Sequence, residues 1–352
     1  MPHTGFFSYF VNRKLKKTLT IILLLGASAV MQAQAPDFTG DTAAVRKCWP
    51  MRLLDNVLDF RDHIVKNDTS YIARIPQKLK LGFAVNCSGA DIDSRGRVER
   101  GNIRARLSTS MKTTISANIA YRGLGIGIKM DPANAFTRKS STELNMAFYG
   151  NRIGIDAVYQ ASGVYKGNIE VNGDKSYIPE GVVNMDMLLV NTYYAFNARR
   201  FSYPAAFSYS WTQRRSGGSI LAGLSYSLGR LSARADEGIG NPSMALNTSY
   251  GSIGVGYGYN FVIRQHWLMH LSAIPQLVVY SHNRLRIGQN IGRAPYRFPD
   301  VMIIGRLSLV RQFPKYYVGL SGKVTTSTLG DRSRLLLNNT KWIGQVSFGI
   351  KF

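Results

Sequence analysis

The chain ends on Trp342-Ile343-Gly344-Gln345-Val346-Ser347-Phe348-Gly349-Ile350-Lys351-Phe352. Successive side chains of an extended strand point to opposite faces. Trp342, Gly344, Val346, Phe348, Ile350 and Phe352 therefore share one face, and Lys341, Gln345, Ser347 and Lys351 share the other, with Ile343 as the exception. Apolar residues outside and polar residues inside is the pattern of a strand in a lipid-facing barrel.

The same alternation recurs upstream. Ile253, Val255, Tyr257, Tyr259 and Phe261 alternate with Ser252, Gly254, Gly256, Gly258 and Asn260, and Ile220, Ala222, Leu224, Tyr226 and Leu228 alternate with Ser219, Gly223, Ser225, Ser227 and Gly229. Ile115, Ala117, Ile119 and Tyr121 repeat it. A soluble sandwich would carry many charges on its polar face rather than Gly, Ser and Asn. The expected fold is all-β: a closed antiparallel transmembrane barrel of about twelve strands. They fall near 79–87, 111–121, 123–130, 142–149, 152–164, 186–197, 218–229, 249–262, 267–281, 299–312, 315–327 and 339–352.

A thirteenth pattern, Phe201 to Thr212, conflicts with the even strand number and short inner turns of such barrels. With the C-terminus periplasmic, long loops at 88–110, 131–141, 165–185, 231–248, 282–298 and 328–338 fall outside. Tight turns at Arg122-Gly123, Gly150-Asn151, Arg264 and Pro314 fall inside. The two halves agree only if 198–217 adds no net crossing. Pro204 cannot donate to a sheet ladder. Tyr203, Pro204, Phe207, Trp211, Gln213, Arg214 and Arg215 then form an inward plug, a periplasmic belt or a long irregular turn. The alternative is a fourteen-stranded barrel in which 103–110 is also a separate strand.

Composition sets further bounds. Gly (34), Tyr (19) and Phe (16) are abundant and charged residues make up only 18%, unlike a disordered chain. Beyond the N-terminus no apolar run approaches the ~20 residues of a spanning helix. Residues 1–35 read as a signal peptide: Arg13, Lys14, Lys16 and Lys17 precede the apolar stretch Leu19 to Val30, and Ala33-Gln34-Ala35 offers a cleavage site. The implied location is a bacterial outer membrane, reached after export and cleavage. Residues 36–76 read as a periplasmic extension with an amphipathic helix carrying Leu53, Leu54, Val57, Leu58, Phe60, Ile64 and Val65, and 77–352 as the barrel.

Removing the four basic residues of the leader leaves 40 Lys+Arg against 20 Asp+Glu, a net charge of +20. For an exported barrel the fitting anionic partners are lipopolysaccharide phosphates and an anionic solute, not nucleic acid. Cys87 shares a face with Leu79, Leu81, Phe83 and Val85, whereas Cys48 precedes the barrel, so the two read as free thiols.

Inward charges are expected at Lys129, Glu143, Arg152, Asp156, Asp186, Arg306 and Lys323, where they line an aqueous pore or pair to brace a closed interior. His266 and His270 lie ~13 Å apart along a strand, too far to share a metal. No metal or cofactor is expected. His270 and Ser272 form the one hydrolase-like pair, facing the lumen with Gln276. Gly251 to Gly258 lacks the Gly-Lys-Ser ending of a phosphate loop and reads as close lumenal packing.

Asp68-Thr69-Ser70-Tyr71-Ile72, Tyr193-Tyr194-Ala195-Phe196-Asn197, Phe201-Ser202-Tyr203-Pro204-Ala205-Ala206-Phe207 and Ser216-Gly217-Gly218-Ser219 resemble a family of Bacteroidota exported proteins, a domain of unknown function. The resemblance implies an outer-membrane barrel and supplies no catalytic residue. The terminal aromatic, Phe352, is similar to the end of barrels whose last strand is read by the barrel-assembly machinery. The functional expectation is a narrow channel or a structural or assembly component. Alternatives are an enzyme modifying lipid or lipopolysaccharide, and an accessory of a secretion or adhesion system.

Overall fold

A computed structural model describes Asn56, Asp59 and residues 67–98, 101–132, 142–233, 244–264, 267–287, 290–293, 299–331 and 335–352. The leader, Cys48, His266 and nearly all of the extension's helix lie outside the described residues. Residues 58–351 form one compact unit.

Alternating sequence with few internal breakers makes the strands long. They are β1 (Ile72–Arg74), β2 (Leu79–Val98), β3 (Gly101–Thr109), β4 (Lys112–Tyr121), β5 (Leu124–Met130), β6 (Thr142–Tyr149), β7 (Ile153–Val171) and β8 (Asp174–Ala195). After them come β9 (Trp211–Gln213), β10 (Gly217–Ala233), β11 (Met244–Ile263), β12 (Trp267–Ile287), β13 (Asn290–Arg293), β14 (Asp300–Gln312), β15 (Tyr316–Asp331) and β16 (Leu335–Lys351).

Twelve of these form the wall, in the order β2-β4-β5-β6-β7-β8-β10-β11-β12-β14-β15-β16, every pairing antiparallel. β16 returns to β2 with Val346 opposite Val85, which closes the ring of twelve. All twelve expected strands are present. β3 is a separate strand but not a thirteenth crossing. It pairs β2 at Asp91–Ser108 and β7 at Thr109–Tyr165, so it stands above the β5–β6 hairpin and continues the path of β4. β13 is the short return of β12.

Much of the expected outer loops is strand. β2 runs on to Val98, and β7 and β8 continue to a two-residue turn at Asn172-Gly173, both residues with positive φ. Such turns match the twist of the strands they join. Beyond the apolar zone an outward face need not be apolar, so alternation fades while ladder hydrogen bonds continue. Arg122-Gly123 makes the same turn at the opposite, short-turn end of the barrel.

The wall's outer face exposes Phe83, Val85, Ile220, Leu224, Ile253, Val255, Leu307, Val346 and Phe348, and its inner face buries Ser225, Ser252, Ser308 and Ser347. Cys87 is a free thiol, half-buried on the outer face beside Phe83 and Val85. Ile343 keeps the strand's period: it sits at an inward position and lines the lumen. Glycine serves close approach at Gly254 and Gly256, where a Cβ would lie 1.9 Å from the carbonyl oxygens of Pro275 and Ala273.

Residues 198–216 add no crossing to the wall: their one strand, β9, pairs with β1 in a separate two-stranded sheet. They fold into the short-turn end of the lumen, burying Phe201, Tyr203, Pro204, Ala205 and Ala206 around a helix, α1 (Tyr203–Phe207). Ser202 caps α1, its Oγ accepting from the Ala205 N–H at 3.2 Å. Pro204 stands in the first turn, where the missing N–H has no intrahelical partner to lose. β9 then pairs with β1, Gln213 opposite Ile72. The segment lies inside the ring at this end, a plug by position.

Candidate functional site

The site is the lumen, in three layers. At its base, Tyr203 packs against Tyr193 with ring centroids 4.3 Å apart, and Tyr209 stacks on Tyr317 at 3.9 Å. Buried polar groups need partners, and those of the plug have them. Gln213 Oε1 accepts from the Ser202 N–H (3.0 Å) and from Asn260 Nδ2 (3.0 Å), while its Nε2 donates to the carbonyls of Arg200 (2.7 Å) and Arg215 (2.8 Å). Asn260 Nδ2 also donates to the Ser202 carbonyl at 2.9 Å. Gln312 Nε2 donates to the carbonyls of Ala205 and Trp211.

The expected pair His270 and Ser272 lies beside this network. His270 Nε2 is 2.9 Å from Ser272 Oγ, and Nδ1 is 2.7 Å from Asn260 Oδ1. A serine, a histidine and an orienting amide in line have the geometry of an activated nucleophile. Yet His270 is fully buried, its ring 5.1 Å from that of Tyr203 and 4.9 Å from that of Phe207, and none of the three borders the lumenal cavity. In this arrangement they tie the wall to the plug.

Above the plug lies a cavity of about 280 Å³, floored by Phe207, Ser208 and Tyr209. Lys80, Lys129, Arg306, Lys323 and Lys341 line it against one carboxylate, Asp156, among the described side chains. Asp156 Oδ1 accepts from Arg306 Nη2 at 2.6 Å, and Oδ2 accepts from Lys323 Nζ at 2.9 Å and Asn191 Nδ2 at 3.1 Å. The Arg306 guanidinium also lies over the rings of Tyr203 (5.7 Å) and Phe207 (5.8 Å), so the charge cluster holds the plug as well as the wall. Lys341 donates to Gln160 across the lumen. Apolar clusters stand towards the long-hairpin end: Tyr250, Val278, Met302 and Ile304 in one, Ile92, Leu107, Tyr165 and Val183 in another, with Leu337 against both.

The model of DUF4421, a domain of unknown function, matches residues 66–352. The chain belongs to DUF4421. No curated protein matches it in sequence. Solved structures similar to this DUF4421 barrel include the outer membrane protease OmpT from Escherichia coli, at 10% identity and TM-score 0.47, covering 81% of this chain and 100% of that one. The translocator domain of the autotransporter NalP from Neisseria meningitidis shows 11% identity and TM-score 0.36 over 86% and 96% of the two chains. The outer membrane protein OprG from Pseudomonas aeruginosa shows 9% identity and TM-score 0.31 over 78% and 97%.

Of the charges expected in the DUF4421 lumen, Asp156, Arg306 and Lys323 come together, and Lys129 borders the same cavity. Glu143 stands opposite Lys129 in the β5–β6 register, its side chain outside the described set. Two are placed elsewhere. Arg152 sits in the short turn before β7, where its carbonyl accepts from the Ala195 N–H. Asp186 points outward and is exposed opposite Arg230, because Leu189, Asn191 and Tyr193 take the inward positions of β8. In the plug, Tyr203, Pro204 and Gln213 are buried, and Phe207 and Trp211 partly so. Arg214 and Arg215 are exposed, Arg214 donating to the Thr69 carbonyl and Arg215 lying over the Tyr71 ring. At that same end Asp68 is held below the usual carboxylate range, chiefly by the hydrogen bond from the Ser70 hydroxyl.

Sequence reasoning did not single out Lys80, Asn260 or Gln312 as plug anchors. Each occupies an inward position of an alternating strand, a signal shared with many residues that anchor nothing. Among the described residues no group of three His, Cys, Asp or Glu is placed to hold a metal.

Proposed function

We propose that this DUF4421 barrel lies in the outer membrane of a bacterium of the Bacteroidota, after signal-peptide cleavage and assembly through a barrel-assembly machinery. There it acts as a narrow, plugged pathway selective for small anions. The observation that carries the reading is the cavity above the plug, lined among the described side chains by five cations and one carboxylate, Asp156. A cation-lined, partly desolvated lumen concentrates anions and repels cations. The hydrogen-bonded plug makes the closed form the resting one. The hydrolase alternative is less well supported, since His270 and Ser272 are enclosed beneath α1.

The test is the reversal potential of the purified full chain in planar bilayers under a KCl gradient. Anion preference is expected, and K129Q/K341Q should lower it while leaving the Asp156 cluster intact. Cation preference would overturn the reading, as would absence of current even after the plug is removed.

A further inference from the structure

β12 carries a bulge that changes which of its residues face the lumen. Below it, His270, Ser272, Gln276 and Val278 are buried on the inner face. Ser252 of β11 pairs with Val278 but Gly251 pairs with Tyr280, so Val279 has no counterpart, and Val279 and Tyr280 are both exposed. A bulge re-aims the side chains that follow it. Uninterrupted alternation would turn His282, Arg284 and Arg286 inward. After the bulge they share the outer face with Tyr280, and Arg284 and Arg286 are exposed.

The register shows what gathers there. Tyr226 of β10 and Tyr280 of β12 flank Gly251, whose added Cβ would touch both. Two residues further along, Leu228, Ser249 and His282 lie side by side, the Tyr226 hydroxyl 2.9 Å from Ser249 Oγ. The next row is Arg230, Asn247 and Arg284, all exposed, with Arg286 beyond. With strands ~4.8 Å apart, Arg230 and Arg284 stand about 10 Å from each other, within joint reach of one headgroup. Arg284 Nε contacts His282 Nε2 at 3.1 Å, and Asp186 is the acidic neighbour, opposite Arg230. Directly below, Ile220, Leu224, Leu228, Ile253, Val255, Leu277 and Val279 form a continuous exposed apolar surface.

Resting on the outer-membrane reading, we propose that Arg230, Arg284 and Arg286 form an outward-facing site for the phosphates of a glycolipid in the outer leaflet. Acyl chains lie along the apolar surface below, the two tyrosines mark its polar boundary, and the guanidiniums take the phosphate with charge-assisted hydrogen bonds. Continuity between apolar belt, aromatic pair and arginines selects a lipid over a soluble anion.

The full chain, refolded in detergent micelles, is titrated with diphosphoryl lipid A, its dephosphorylated form and inorganic pyrophosphate. Diphosphoryl lipid A should bind about tenfold tighter than the dephosphorylated form, and R230Q/R284Q/R286Q should remove that advantage. Lys315→Gln, at the opposite end, should not change it. Heat-modifiable migration on gels shows that each variant keeps its barrel. Equal affinity of the triple variant, or no preference for the phosphates, overturns the proposal. Competition by pyrophosphate at equal concentration would make it a free-phosphate site and overturn the lipid assignment. None of these readouts depends on current or ion selectivity, so failure here is separate from failure of the anion pathway.

Discussion

The Lys80 amine donates to the Ser208 carbonyl at 2.9 Å, joining the first wall strand to the end of α1 across 128 residues of sequence. Lys80 is buried, and Ser208 is the C-cap residue of α1. Lys80→Met leaves that carbonyl without its donor, a cost of about 1–3 kcal/mol. Hydrogen exchange should then accelerate about tenfold or more over residues 201–210, while amides of the facing wall strands keep their protection.

Removing the plug should not remove the barrel. The ring of twelve strands closes through β16–β2 without a contribution from 198–216. Replacement of Ser202–Gln213 by a short Gly-Ser linker is expected to leave a heat-modifiable barrel and to raise single-channel conductance above the full chain's. Loss of assembly would mean that the segment is part of the wall's folding.

Asp156 couples two cations to each other and, through Arg306, to the plug. Asp156→Asn leaves Arg306 and Lys323 facing each other in the lumen, and breaking such a pair costs about 3–5 kcal/mol. Adding Arg306→Met removes one of the stranded charges. Denaturant unfolding of both single variants and the double variant should show the double to be less destabilised than the sum of the singles.

Glycine substitutions should divide by direction of approach. At Gly256 an added Cβ meets the Ala273 carbonyl oxygen at 1.9 Å, whereas at Gly344 the nearest atom, the Cys87 carbonyl oxygen, is 3.9 Å away. Gly256→Ala should force β11 and β12 apart and lower the unfolding midpoint strongly. Gly344→Ala should be neutral or slightly stabilising in the same assay.

The legible part of the fold was the wall. Each expected strand carries a run such as Ile253 to Phe261, in which burial in lipid forces every second residue to be apolar. Strand direction then isolated 198–217, and Pro204 weakened its claim to be a strand. The hairpin extensions beyond the apolar zone escaped, since at Asp91, Asp93 and Arg95 the outward face is polar while Ala90 and Ile92 are turned inward, the reverse of the lipid-facing pattern. Asp186 was misplaced by one residue of phase. Lys80, Asn260 and Gln312 gave no sign of their partners, because inwardness is periodic but the identity of what lies across the lumen is not.

The sequence by itself determined a closed, antiparallel, twelve-stranded wall and the segment that does not belong to it. These follow from local periodicity, which an apolar outer face imposes on every strand separately. Only the tertiary structure decided that 198–216 is a helix-containing plug, that Asp156, Arg306 and Lys323 meet, and that Arg284 faces outward. Those outcomes depend on register, on one unpaired residue at Val279, and on hydrogen bonds spanning more than a hundred residues, none of which leaves a repeating mark in the chain.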